Sequence, residues 1–357
     1  MTPGAATPVP PILEDIAGRV ERRLRDVLAA HRDEWVALDP DLDGPFAEVQ
    51  RFVLGGGKRL RAAFCWEGYV AAGGDTSDAA VIDICSAFEL MHAFALFHDD
   101  VMDGASTRRG APTTHVVYAD LHERAAWAGD ARRFGDGMAI LIGDLTFVFS
   151  DQLLSCANAT VWELWNRLRV ELNVGQVLDM LGSAQRDRRA DKAARICRYK
   201  SGKYSIERPL HVGAAAAGPA RFDELSAPLS EFGLPLGDAF QLRDDVIGVF
   251  GDPSVTGKPV GDDLREGKPT PLLAEAVAAA TDAQRVVLDG VGVPDLDADS
   301  VARMQQVIVD CGALDVIERR IASCSREALD VLAGAPFDEV AKVELAQLAD
   351  YVVARRR

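Results

Sequence analysis

Two groups of aspartates close apolar stretches in this chain of 357 residues. Phe94–Asp103 reads F-A-L-F-H-D-D-V-M-D, and Ala239–Asp245 reads A-F-Q-L-R-D-D. Asp99 and Asp103 are spaced so that on a helix they point the same way, one turn apart. Like charges so placed repel unless something positive lies between them. Hard oxygen ligands on one face suit Mg²⁺, which keeps several waters and shares phosphate oxygens. One such motif fits a solvated acidic helix end equally well. Two, in a helical bundle, can face each other across a cavity and clamp a diphosphate through bridging metals.

The complementary charges are basic. Gly55–Arg61 reads G-G-G-K-R-L-R. A nucleotide P-loop would need glycine at position 52 and a hydroxyl residue after the lysine; Phe52 and Arg59 stand there, so that reading fails. What remains is a glycine turn opening a helix, with Lys58 and Arg61 on one face as an anion site. Arg108 and Arg109 follow the first acidic motif, and Lys203 lies in Y-K-S-G-K-Y. Lys258 and Lys268 follow the second motif in T-G-K-P-V-G-D-D-L-R-E-G-K-P-T. Singly, each lysine reads as a surface charge; their position behind the aspartates is what informs. His92, alone on an apolar stretch, reads from its surroundings as a hydrogen-bonded core histidine.

Helices must position these groups. Leu13, Ile16, Val20, Leu24 and Leu28 repeat at helical spacing, and near the C-terminus Val340, Val343, Leu348 and Val352 form a stripe. Ala79–Phe97 and Leu225–Val249 are apolar almost all round and belong inside a bundle. The breaks are short: Gly55–Gly57, Gly73–Asp75 and Gly251–Gly261, with Asp120–Gly137 the best long-loop candidate. The composition, 48% hydrophobic, supports a large core. The expected organisation is an N-terminal disordered tail over residues 1–11 and a single all-α domain over 12–357. The net charge of −16 argues against nucleic acid as a partner. Six scattered cysteines without a C-x-x-C pair suit reduced thiols and a cytoplasmic location. No apolar run is expected to reach the length of a membrane span.

In order along the chain, G-G-K-R-L-R, D-D-x-x-D followed by R-R-G, G-Q-x-x-D at Gly175–Asp179, the lysine of K-Y, F-Q-x-x-D-D and G-K-P-x-G-D-D-L-x-x-G-K resemble the trans-type polyprenyl diphosphate synthase family over nearly the whole length. The wording around the second motif is most similar to bacterial geranylgeranyl diphosphate synthases. The resemblance implies an all-α helical bundle of the isoprenoid synthase type around a central active-site cavity, and a homodimer by analogy. It implies three Mg²⁺ ions: two on Asp99 and Asp103 with Asp100 in support, and a third on Asp244 with Asp245 in its shell. Lys58, Arg61, His92 and Arg109 would hold isopentenyl diphosphate. Arg108, Lys203, Gln241, Lys258 and Lys268 would hold the allylic diphosphate. Three positions depart from the pattern: Gly248 replaces the last aspartate of the second motif, Ala62 a proline, and Tyr204 a threonine.

The family's reaction begins with loss of diphosphate from the allylic substrate. The double bond of isopentenyl diphosphate attacks the resulting cation, and a proton leaves. Metals and fixed charge, with Lys203 and Lys258 among them, stabilise the departing diphosphate. A class I terpene cyclase would share D-D-x-x-D but carry an N-D-x-x-S-x-x-x-E-like motif and need no Lys58/Arg61 site; that second motif is not found. Product length falls to the residues below Asp99. Phe94 lies about 7–8 Å and Met91 about 12 Å along a helix from it. A small Ala95 with Phe94 beneath resembles short-chain synthases making geranylgeranyl diphosphate, with farnesyl diphosphate the alternative.

Overall fold

The long apolar periods of the sequence become long helices. A computed structural model describes residues 8–251, 260–293 and 296–354. Among them the only strands are an antiparallel ladder of β1 (Thr107–Arg108) with β2 (Ala111–Pro112); the class is all-α. Contacts gather the chain into two compact units.

The first unit comprises Pro11–Trp66 and Asp75–Asn158. Its helices are α1 (Pro11–Val36), α2 (Asp43–Leu54), the start of α3 (Leu60–Ala71), α4 (Ala80–Asp103), α5 (Thr114–Arg124) and α6 (Ala131–Leu153). The α1 stripe Leu13, Ile16, Val20, Leu24 and Leu28 is buried, as its spacing requires. Helix α4 is apolar on nearly every face. Contrary to the sequence expectation, it is long and apolar enough to cross a membrane by length and composition, but 67% of that stretch is buried in the protein. The expected long loop over Asp120–Gly137 is mostly helix. Tyr118 and His122 turn inward from α5. Trp127 and Phe134 meet His122 edge-on and at a tilt. Asp130 caps α6 by accepting from the Arg133 amide at 2.7 Å. The segment reads as polar because only one face of α5 is buried.

Of the described residues, the second unit comprises 8–10, Glu67–Gly74, 159–251, 260–293 and 296–354. Its elements include α7 (Ala159–Ala184), α8 (Ala190–Ile196), a π-helical segment (Cys197–Glu207), α9 (Arg208–Ala217), α10 (Pro219–Phe250) and α11 (Asp262–Glu266). Leu242, Val246, Leu272, Ile308 and Ile317 share its core. The C-terminal helix α12 (Glu339–Ala354) buries Ala341, Leu345, Leu348 and Val352. Val340 and Val343, expected on that stripe, are exposed, whereas Leu348 and Val352 are buried as their spacing requires. Close packing at glycines fixes the π-helical segment. A Cβ at Gly175 of α7 would lie 2.6 Å from the Lys200 Cα, and one at Gly237 of α10 would lie 2.7 Å from the Gly202 carbonyl oxygen. Any side chain at either glycine would push that segment, and the lysines on it, out of place.

Candidate active site

In the first unit, Asp99, Asp100 and Asp103 end α4, where the partial negative charge of the helix terminus already disfavours acids. The chain compensates with Arg108 on β1. Its guanidinium lies 2.6 Å from Asp100 Oδ1 and 3.5 Å from Asp99 Oδ2. Burial pulls the Arg108 pKa down, but Asp100 and Asp99 outweigh it, so the arginine is held charged. Asp100 is buried, whereas Asp99 and Asp103 are half-buried. Arg108, assigned from the resemblance to the allylic diphosphate, is thus placed on the aspartates themselves. Arg109 turns the other way and donates to the Gly56 carbonyl at 2.6 Å, bringing the R-R-G segment onto the glycine turn.

That turn is not the helix start the spacing suggests. Helix α3 begins at Leu60, and Arg59 before it has a φ of 52°. Lys58 therefore precedes the helix and does not share a helical face with Arg61. Arg59, which the motif reading passed over, is buried; it donates to Glu89 Oε2 at 3.0 Å and to the Val53 carbonyl. The signal for it was Glu89, an acid in an apolar stretch that burial obliges to find a cation. Around this pair a pocket is lined by Phe52, Arg59, Glu89, His92, Leu96 and Arg109. Burial drives the His92 pKa well below the histidine range, and the charges of Arg61, Arg109, Arg108 and Arg59 push it further. The ring is neutral, among cations crowded enough that burial and its arginine neighbours lower Arg109 as well. Such crowding is unfavourable in the absence of an anion and favourable around one.

In the second unit, α10 carries Gln241, Asp244 and Asp245. Gln241 Nε2 donates to Asp245 Oδ1 at 2.7 Å, so the amide orients the second aspartate. Asp245 Oδ2 is buried and accepts no hydrogen bond. Burial raises the Asp245 pKa well above the carboxylate range, and Asp263, Asp244 and Asp179 add to it, Gln241 alone opposing. Four carboxylates thus share one neighbourhood. Lys200 Nζ reaches Asp179 Oδ2 at 2.6 Å, and Lys268 Nζ lies 3.8 Å from Asp263 and also pairs with Glu266. Lys258 lies outside the described residues.

Lys203 sits elsewhere. Its Nζ lies 3.3 Å from Glu171 and 3.1 Å from Glu207, in a buried network with Arg208, which forks onto Glu171 at 2.7 Å through two nitrogens. Lys200, three residues earlier, is the lysine paired with Asp179. Of the residues assigned to chain length, Met91 is fully buried, Ala95 half-buried, and Phe94 half-buried with its ring 4.7 Å from Phe147 and 4.6 Å from His98.

The donor sets fit divalent metal. A buried carboxylate oxygen without a hydrogen bond is satisfied by a cation, and oxygen ligands select Mg²⁺-like ions. Among the described residues no three acid, imidazole or thiol groups converge as a ready-made metal cage. Ions held here would share their shells with water and phosphate oxygens, as Mg²⁺ does.

The model of the polyprenyl synthetase family matches residues 46–308. The geranylfarnesyl diphosphate synthase of Aeropyrum pernix is 36% identical over 335 residues, covering 90% of this chain and 97% of that protein. The geranylgeranyl diphosphate synthase of Mycobacterium tuberculosis is 32% identical, covering 84% and 80%. Among solved structures, the geranylgeranyl pyrophosphate synthase of Corynebacterium glutamicum complexed with isoprenyl diphosphate and magnesium superposes with a TM-score of 0.89 at 33% identity, covering 98% of this chain and all of that one. The chain belongs to the polyprenyl synthetase family.

Proposed function

We propose that this protein is a short-chain trans-prenyl diphosphate synthase, joining isopentenyl diphosphate to an allylic diphosphate, with geranylgeranyl diphosphate as its product. The observation that carries the reading is the pair of unlike anion sites. One is a ring of arginines around a neutral His92 that suits a diphosphate without metal. The other is made of carboxylates, which suit a diphosphate only through cations. A terpene cyclase, acting on one diphosphate, has no use for the first.

Divalent ions held by Asp99 and Asp103 and by Asp244, with Asp100 and Asp245 behind them, would neutralise the allylic diphosphate as its C–O bond breaks. Arg61 and Arg109 hold the isopentenyl diphosphate by charge, and His92 adds an N–H donor without adding charge. Arg108 balances the charge of the Asp99/Asp100 pair and orients it. Lys200, whose ammonium pairs with Asp179, rather than Lys203, engaged by Glu171 and Glu207, would meet the leaving group. No side chain is a dedicated base, and the departing diphosphate takes the proton. Leu141 and Val148, at heptad spacing on α6, are exposed and suit the interface of a homodimer.

The test is incubation of the purified chain with dimethylallyl, geranyl or farnesyl diphosphate, isopentenyl diphosphate and Mg²⁺, with products read by mass. Longer diphosphates that vanish on chelation are expected. Hydrocarbon products, or none, would refute the reading.

A further inference from the structure

One acid stands among the cations of the arginine pocket in the first unit. Glu89 lines that pocket together with Arg59, His92 and Arg109, and among the described residues it is the pocket's only acid. It is 5% exposed. Its Oε2 accepts from Arg59 at 3.0 Å, while Oε1, also buried, accepts no hydrogen bond from the protein. Arg59 is itself buried and divided between this carboxylate and the Val53 carbonyl, so its charge is already balanced. The field of Glu89 reaches further: burial, Arg59 and Arg108 lower the Arg109 pKa, and Glu89 opposes them. A buried pair contributes little net stability, and a carboxylate oxygen without a donor lowers it further. A pocket that only had to grip an anion would grip it more tightly without the acid.

The reaction gives a reason to limit the grip. The allylic diphosphate departs as its C–O bond breaks, and the new C–C bond forms to the isopentenyl unit. The lengthened product therefore carries the diphosphate that entered on isopentenyl diphosphate. That group must leave the arginine pocket before another isopentenyl diphosphate can enter. We propose that Glu89 sets the strength of this pocket: its charge cancels that of Arg59, so that the remaining cations bind isopentenyl diphosphate yet let the diphosphate of the product go. The proposal rests on the assignment of that pocket to isopentenyl diphosphate made above. Glu89 acts through its charge and needs no contact with a reacting atom.

Glu89→Gln keeps an oxygen for Arg59 and removes the charge. The full-length wild type and variant are titrated with inorganic pyrophosphate by calorimetry in the absence of divalent ions, and initial rates and single-turnover condensation are then measured with Mg²⁺. Glu89→Gln is expected to bind pyrophosphate about 10-fold more tightly, the order expected for loss of one like charge from a partly screened anion site. KM for isopentenyl diphosphate and kcat should both fall, while the single-turnover rate stays at the wild-type value, because slow release lowers only repeated turnover. If Glu89 merely holds Arg59 in place, the folded variant will bind pyrophosphate no more tightly than wild type; that result overturns the inference. A single-turnover rate that falls in step with kcat overturns it too. If Glu89→Gln does not fold, Arg59→Met combined with Glu89→Gln removes both charges and decides the matter. Pyrophosphate affinity close to wild type is then expected, and a loss of about 10-fold or more, as for a cation removed alone, overturns the inference. If the wild type elongates allylic diphosphates and binds pyrophosphate without metal while Glu89→Gln binds it no better, only the inference falls. If the wild type binds no metal-free pyrophosphate, the assignment of the pocket falls with it.

Discussion

Replacing Lys203 by methionine separates a structural lysine from a catalytic one. At an effective dielectric of 20, unit charges about 3.2 Å apart interact by roughly 5 kcal/mol, most of it offset by the desolvation of both groups. Lys203 has two such neighbours, Glu171 at 3.3 Å and Glu207 at 3.1 Å, all three largely buried. Removing one partner of a buried pair costs about 3–5 kcal/mol, because the other charge is left without compensation. Glu171 keeps its forked bond to Arg208 at 2.7 Å, so the loss falls on Glu207. One Glu207 oxygen still accepts from Ser230 at 2.8 Å; the other, Oε2, faces Lys203. The expected cost therefore sits at the lower end, about 3 kcal/mol. Urea denaturation followed by circular dichroism measures it, and kcat at saturating substrates should stay within a few-fold of wild type. Lys200→Met should behave oppositely, with kcat down by at least about 100-fold if the ammonium stabilises the leaving diphosphate. A Lys203 variant of normal stability whose kcat fell by that factor would refute the assignment of Lys200.

Asp99→Asn should lower kcat by about three orders of magnitude or more and leave the urea midpoint unchanged or slightly higher, since like-charge repulsion at the end of α4 is relieved. Arg61→Ala should chiefly raise KM for isopentenyl diphosphate, read from initial rates; a rise confined to the allylic substrate would reassign the arginine pocket. Phe94→Ala should lengthen the products seen by mass, and unchanged length in a folded, active variant would rule out Phe94 as the floor. His211 is buried beside Arg208, and its pKa is lowered to about 4, mainly by burial. The unfolded chain takes up that proton first, so stability present above about pH 6.5 should be lost as pH falls toward 4, by roughly 3 kcal/mol, and His211→Gln should flatten that part of the profile.

What could be read from the sequence was what regular helices dictate. Asp99 and Asp103 fall together because α4 runs unbroken to Gly104, and the α1 stripe is buried where its period places it. The reading failed wherever the backbone left the α-helix. Lys58 and Arg61 were put on one helical face, yet Arg59 between them is left-handed and α3 starts only at Leu60. The string reading names Lys203 and passes over Lys200; both lie in a π-helical segment whose wider turns redirect side chains. There the decisive residue is Gly175, whose missing Cβ lets the backbone at Lys200 approach α7 and set its ammonium on Asp179. Gly248 carries the same lesson further. Along the chain it marks a missing acid; in space, a Cβ there would overlap the Asp263 carboxylate. A motif read as a string records which side chains a helix carries, whereas which of them meet depends also on the glycines that let a neighbouring segment approach.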